Sequence, residues 1–89
     1  MKKLVKVEEV AGEGLMALMG EEVLVFCMNY NYAGVLVGVN ESYIKLENAH
    51  LVFETGAFSA STYADSQKLF GDHYIQLNSV ESFCKGKKH

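Results

Sequence analysis

The stretch that decides the fold runs from Val23 to Val39 and reads VLVFCMNYNYAGVLVGV. Its first part, Val23–Met28, is rich in β-branched residues and apolar at successive positions, which is typical of a strand that is covered on both faces. Asn29-Tyr30-Asn31 is a turn cluster, and Tyr32–Val39 then predicts a second strand. The two runs and the turn between them indicate an antiparallel hairpin, so the chain is expected to be mainly β.

Two glycines, Gly34 and Gly38, interrupt the second predicted strand. A glycine inside a strand has no side chain to pack, so it indicates sharp bending or a close approach of another backbone segment. Downstream, short apolar runs continue to alternate with turn residues. The further predicted strands are Tyr43–Leu46, then Leu51–Glu54 after a break at Asn48, His73–Leu77, and Val80–Cys84 after a turn at Asn78-Ser79.

Helical signals are weaker and lie in two places. Leu15–Met19 consists of strong helix formers and is followed by Gly20, so we predict a short helix over residues 13–19. In the irregular part of the chain, Ser59 or Ser61 can begin one or two helical turns that reach Lys68. The first apolar run, residues 4–10, fits a strand and an irregular extension equally well.

Composition restricts the class of protein. The chain has 89 residues, of which 49% are hydrophobic and 21% charged, as expected for one small packed domain. Its apolar runs are shorter than the roughly 20 residues that cross a bilayer, and no leader is recognisable. We therefore expect a soluble, cytoplasmic protein with no membrane partner. Cys27 and Cys84 form no CxxC pair, so we expect two buried, reduced thiols.

Charge is distributed unevenly along the chain. There is no arginine, and six of the eight lysines lie in the first six or the last five residues. Residues 7–84 contain eleven acids and two lysines, a balance of −9. This acidic part of the chain repels phosphate, so any contact with nucleic acid would have to use the lysine-containing tails or uncharged groups. The basic tail, residues 85–89, is expected to be a solvated end.

Residue patterns for catalysis or metal binding do not stand out. His50, His73 and His89 have no ligand-like spacing to each other or to a cysteine. The sequence shows no recognisable nucleophile with a neighbouring base, and no pair of carboxylates in apolar surroundings. The expectation is a protein that is not an enzyme, with no catalytic residues, no metal and no cofactor.

Two segments carry a family resemblance. Gly20–Val25, Tyr32–Asn40 and Ile44–Ala49 together resemble the first Sm motif, and Ile75–Phe83 is similar to the second. The chain as a whole is most similar to small Sm-like proteins encoded by bacteriophages. The resemblance implies a short N-terminal helix followed by a five-stranded, strongly bent Sm-like (SH3-like) barrel. It divides the chain into an N-terminal extension (1–12), the short helix (13–19), the strands of the first motif (20–56), a variable segment (57–72), the strands of the second motif (73–84) and the basic tail (85–89).

Sm-like proteins form closed rings of roughly five to seven subunits, in which the fourth strand of one subunit pairs with the fifth strand of the next. The resemblance therefore implies self-association into a homo-oligomeric ring. Tyr74–Leu77 and Val80–Cys84 contain no lysine or proline that would block such pairing. The expected interface residues are Tyr74, Ile75, Leu77, Val80 and Phe83. A monomeric barrel whose edges are covered by the N-terminal segment is the alternative.

The resemblance also implies a site for single-stranded RNA. The residues at that site are Asn40, Ser42, Tyr43, Gln76 and Asn78. Asn40 stands where the family has an acid, Ser42 where its bacterial branch stacks an aromatic ring, and Gln76-Leu77 where the second motif has Arg-Gly. Two functions follow: a ring that binds RNA weakly, or a scaffold ring that binds a protein partner and no RNA.

Overall fold

A computed structural model describes residues 12–87, and these residues form six strands and two short 3-10 helices. The strands are β1 (Glu22–Cys27), β2 (Asn31–Val39), β3 (Tyr43–Glu54), β4 (Asp65–Lys68), β5 (His73–Gln76) and β6 (Val80–Lys85). The 3-10 helices are Leu15–Leu18 and Leu77–Ser79. The expectation of a mainly β protein is confirmed. The predicted run at residues 4–10 lies outside the described residues.

All strand pairs are antiparallel, and the hydrogen-bonded order is β4-β3-β2-β1-β6. β5 lies off this path, because it pairs with the first part of β3 while β4 pairs with the last part. The 12-residue strand β3 thus has β2 along one edge and two successive partners along the other. Within residues 12–87, neither β4 nor β5 pairs with β6, so the sheet is not a closed barrel, and the expected five-stranded barrel is instead an open sheet of six strands.

Gly34 allows β2 and β3 to approach closely, as the sequence predicts. A Cβ atom at this position would lie 2.8 Å from the Glu47 carbonyl oxygen. The register of β2 against β3 shifts beside Gly34 and again beside Gly38. The expected break at Asn48 is wrong in one respect: β3 continues through this residue, although its φ of 50° is left-handed.

The sheet buries two separate groups of apolar side chains. The larger cluster consists of Val23, Val25, Leu36, Ile44, Leu46, Ala49 and Ile75. The smaller cluster consists of Leu24, Ala33, Val52 and Tyr63. Neighbouring residues of β1 belong to different clusters because successive side chains of a strand point to opposite faces. This explains why β1 is apolar at consecutive positions.

The predicted helix over residues 13–19 is not an α-helix. Residues Leu15–Leu18 form a single 3-10 turn. Gly14 before it has φ 81°, and Met19 and Gly20 after it have extended and left-handed backbones. One turn is too short to sustain α-helical hydrogen bonding by itself. No helix among the described residues is long and apolar enough to cross a membrane.

The helical turns expected up to Lys68 are also wrong. Asp65–Lys68 is instead a strand, β4, which hydrogen-bonds to residues 50–54 of β3. The segment before it contains only turns and bends, with a hydrogen bond from the Ala60 N–H to the Ala57 carbonyl. Pairing with the edge of β3 therefore outweighs the local sequence preference for helical turns in Asp65–Lys68.

The basic tail is not a solvated end over residues 85–87. Lys85 completes β6 and its Nζ lies 3.6 Å from a Glu21 carboxylate oxygen. The Gly86 N–H donates to the Glu22 carbonyl, and the Lys87 side chain donates to three backbone carbonyls. The remaining tail residues lie outside the described part.

The expectation of two buried cysteines is half right. Both thiols are free, but only Cys27 is partly buried. Cys84 is exposed because β6 lies at an edge of the sheet.

Candidate nucleic-acid interface and assembly edges

The turn between β2 and β3 is built by one side chain. The Oδ1 atom of Asn40 accepts hydrogen bonds from the backbone N–H groups of Ser42 and Tyr43, each at 2.8 Å. The Asn40 N–H in turn donates to the Tyr43 carbonyl at 3.0 Å. An amide oxygen performs this capping as a carboxylate oxygen would. Asn40 therefore positions the turn, and its oxygen is already used by the backbone.

A surface depression of about 360 Å³ lies beside this turn. Its lining residues are Glu41, Ser42 and Tyr43 from the turn, and Gln76, Leu77 and Asn78 from the end of β5. The two segments are joined by the Leu77 N–H, which donates to the Ser42 carbonyl at 2.9 Å. Four of the five predicted RNA-site residues thus meet in one depression, although they come from two separate parts of the sequence. Asn40 supports it from the turn.

The aromatic and charged groups next to the depression lie on the outer side of β3 and β5. The rings of Tyr43 and Tyr74 meet edge to face, with centroids 5.6 Å apart. Lys45 Nζ lies 5.7 Å from the Tyr74 ring centroid and 3.3 Å from a carboxylate oxygen of Asp72. The hydrogen bond to Asp72 raises the pKa of Lys45. The lysine stays protonated, but its charge is partly balanced by the acid.

The electrostatics of the depression are consequently unfavourable for phosphate. Glu41 contributes a carboxylate to its lining, and Lys45 is paired. What remains for a ligand is uncharged: the exposed Tyr43 ring and the amides of Gln76 and Asn78. Such groups can stack on a base and hydrogen-bond its edges.

A second cavity of about 250 Å³ lies on the other side of Gln76. Its centre is a stack of the Tyr32 and His73 rings, 5.0 Å apart between centroids. Burial raises the pKa of the Tyr32 hydroxyl. It also raises the pKa of the Cys27 thiol, against the opposing effect of a hydrogen bond with the Ser79 side chain. The sequence did not point to Tyr32 and His73, because they lie in β2 and β5, and only the tertiary fold brings their rings together.

The free edge of β5 is defined by its hydrogen bonds to β3. Since the Leu77 N–H faces Ser42, and backbone groups alternate along a strand, Ile75 also faces β3. The backbone groups of Tyr74 and Gln76 therefore face the open side. The Tyr74 side chain is 56% exposed.

The free edge of β6 follows from the same rule. The Gly86 N–H donates to the Glu22 carbonyl, so Cys84 and Ser82 also direct their N–H groups to β1. The backbone groups of Phe83 and Lys85 then face outward. A register shift opposite Glu81 reverses this alternation nearer the start of β6.

The five expected interface residues occupy different environments. Tyr74 and Phe83 are exposed, Leu77 and Val80 are partly buried against the larger cluster, and Ile75 is a buried member of that cluster. The exposed aromatic pair is the part of this set that is available to another molecule.

Among the described residues, no group of three or more histidines, cysteines and acids is arranged to hold a metal ion. Comparisons with known proteins add no relative: no family model matches the chain, and no characterised protein matches it.

Proposed function

We propose that this chain is a non-enzymatic, Sm-like protein that forms a homo-oligomeric ring and binds single-stranded RNA weakly. The observation that carries the proposal is the depression formed by the β2–β3 turn and the end of β5. It lies directly beside the free edge of β5, which would pair with the neighbouring subunit in a ring.

Three features of the fold support an Sm-like ring. A glycine-bent β2 packs on a long β3, a 3-10 turn joins the last two strands, and those strands lie on opposite sides of the sheet. In a ring, β5 of one subunit would pair with β6 of the next, so β5 and β6 take the places of the family's fourth and fifth strands. β4 is then an addition within the variable segment.

The RNA contact in this proposal rests on uncharged groups. The Tyr43 ring would stack on a base, and the amides of Gln76 and Asn78 would read its edge. Glu41 opposes phosphate binding, and attraction of phosphate is left to the lysines near the two ends of the sequence, so affinity is low and falls steeply as salt rises.

Assembly is tested by light scattering on a sizing column over a tenfold dilution series. A ring gives a mass several times 9.9 kDa throughout. A monomer mass at every concentration would refute the ring.

RNA binding is tested by fluorescence anisotropy with short U-rich and A-rich oligonucleotides at two salt concentrations. Tyr43→Ala should weaken binding by about 5- to 150-fold, since stacking on one aromatic ring contributes roughly 1–3 kcal/mol. Gln76→Ala should also weaken it, whereas Gln67→Ala in β4 is the matched control and should have no effect. Equal affinities for the Gln76 and Gln67 variants would show that RNA binds elsewhere.

A scaffold ring that binds a protein partner and no RNA is the second candidate. It is favoured by Phe70, which is fully exposed in the β4–β5 connection and lies outside the depression. Absence of RNA binding at low salt by an assembled ring would support this function over the first.

A further inference from the structure

The side chain of Lys87 ends in a cage formed by residues 55–63. Its Nζ donates to the backbone carbonyls of Thr55, Ala57 and Thr62 at 2.9, 2.8 and 3.0 Å. An ammonium group has three N–H donors, so all three are satisfied. The cage therefore holds a complete hydrogen-bonding shell for one primary ammonium.

Two aromatic rings flank the same group. Nζ lies 5.2 Å from the Tyr63 ring centroid and 5.8 Å from that of Phe58. Both distances are within the range of cation–π attraction. The cage thus selects a cation through neutral carbonyls and ring faces, which place negative potential around it.

The backbone before Lys87 is fitted to this arrangement. The Lys87 N–H donates to the Tyr63 hydroxyl at 3.0 Å, and the Gly86 N–H donates to the Glu22 carbonyl at 2.8 Å. A Cβ atom at position 86 would lie 2.7 Å from the Val23 carbonyl carbon and 2.8 Å from the Tyr63 hydroxyl. Glycine at this position lets the chain pass close to β1 and deliver Lys87 to the cage.

We propose that residues 55–63 form a binding site for one primary ammonium group, with Lys87 as its intramolecular ligand. When the charged end of Lys87 is removed, a small primary alkylammonium ion takes its place. A quaternary ammonium ion does not, because it has no N–H to donate to the three carbonyls. The inference does not depend on the proposed ring, since every contact lies within one subunit.

The test is chemical rescue of Lys87→Ala. This variant lacks three methylenes and the ammonium of the lysine side chain, so propylammonium restores the missing atoms. Lys85→Ala is the matched control, because its Nζ forms only an exposed ion pair with Glu21. Melting temperatures are measured by circular dichroism in propylammonium chloride and in equal concentrations of tetramethylammonium chloride.

Lys87→Ala should lower the melting temperature by about 10 °C, because several charge-assisted hydrogen bonds are lost in a small domain. Lys85→Ala should change it by less than about 2 °C. Propylammonium should restore the Lys87 variant in a saturable manner, as for any ligand of the folded state, and tetramethylammonium should not. Equal melting temperatures for the two variants, or equal effects of the two salts, would overturn the proposal.

A measurement on the unaltered protein covers the case in which Lys87→Ala does not fold. Acetic anhydride labelling, read by peptide mass spectrometry, compares the lysines of the folded chain. Lys87 should react about tenfold more slowly than Lys85, because its ammonium must leave the three carbonyls first. Equal rates for Lys87 and Lys85 would contradict an occupied cage.

Discussion

β4, β5 and β6 all lie at edges of the same sheet, but their exposed side chains differ. β4 reads Asp-Ser-Gln-Lys, and all four of its residues are exposed. β5 and β6 place the exposed aromatic rings of Tyr74 and Phe83 beside their free backbone groups. β6 also carries Glu81 and Lys85, so the contrast lies in the exposed aromatic rings: a short, wholly polar edge resists pairing with another chain more than an edge with exposed apolar side chains does. The contrast favours β5 and β6 over β4 as the edges at which the proposed pairing between subunits would occur.

The largest effect is expected from proline on the side of β6 that faces β1. Cys84→Pro removes the N–H directed to β1, and by analogy with proline in a helix interior the cost is roughly 3 kcal/mol. The melting temperature in circular dichroism should fall by 10 °C or more, by the usual scaling for a domain of this size. A parental melting curve would show that β6 is not paired with β1.

One residue earlier, proline should act on association instead. Phe83→Pro removes an N–H on the free edge of β6, so the mass from light scattering should fall toward 9.9 kDa. Phe83→Leu keeps the backbone donor and an apolar side chain, and it should retain the assembled mass. If Phe83→Pro stays fully assembled, subunits do not meet through this edge.

Proline on the free edge of β4 is expected to change neither the melting temperature nor the assembled mass by much. The Leu69 N–H donates to the Ala49 carbonyl, so alternation directs the Ser66 N–H away from β3. Ser66→Pro should keep the assembled mass and lower stability by less than about 1 kcal/mol. Dissociation of this variant would show that β4 lies in an interface, which would contradict the proposed difference between β4 and the edges of β5 and β6.

The smallest effect compares a thiol at the edge with one nearer the interior. Burial raises the pKa of Cys27, so it has less thiolate than an unperturbed thiol at pH 7 and should react more slowly than exposed Cys84. The ratio between the reaction rates of Cys84 and Cys27 should fall as the pH rises through the raised pKa of Cys27. Iodoacetamide labelling at pH 7 and at about pH 10, read by mass spectrometry, measures both rates. Faster reaction at Cys27 than at Cys84 would mean that the end of β1 is not paired with β6 at Cys27.

The parts of the fold that the sequence predicts are those decided by local chemistry. The apolar run of β1 and the glycines of β2 specify a bent hairpin, because a side chain at Gly34 would collide with β3. β4 could not be predicted, since Asp65–Lys68 has no apolar alternation and is a strand only because β3 offers it an edge. The flanking glycines of the 13–19 segment, with left-handed backbones, also limited a good helix former to one turn.

The candidate site divides in the same way. Motif resemblance selected Tyr43 and Gln76, which face each other in the register of β3 and β5. The meeting of Tyr32 with His73 depends on tertiary pairing and has no local signal. The cage around Lys87 is harder still to foresee, because its ligands are backbone carbonyls, which every residue carries.

The pairing of β6 with β1 has a consequence for synthesis on the ribosome. Val23 and Lys85 are partners although roughly sixty residues separate them, and such distant contacts form late in folding. The nascent chain can form the β1–β2 hairpin early, but the other edge of β1 stays unpaired until β6 has emerged. During that interval several nascent chains on one messenger expose the same apolar strand to each other. Slow translation of the stretch between β2 and β6 would lengthen this exposure, so the yield of native protein should depend on the speed with which that stretch is read.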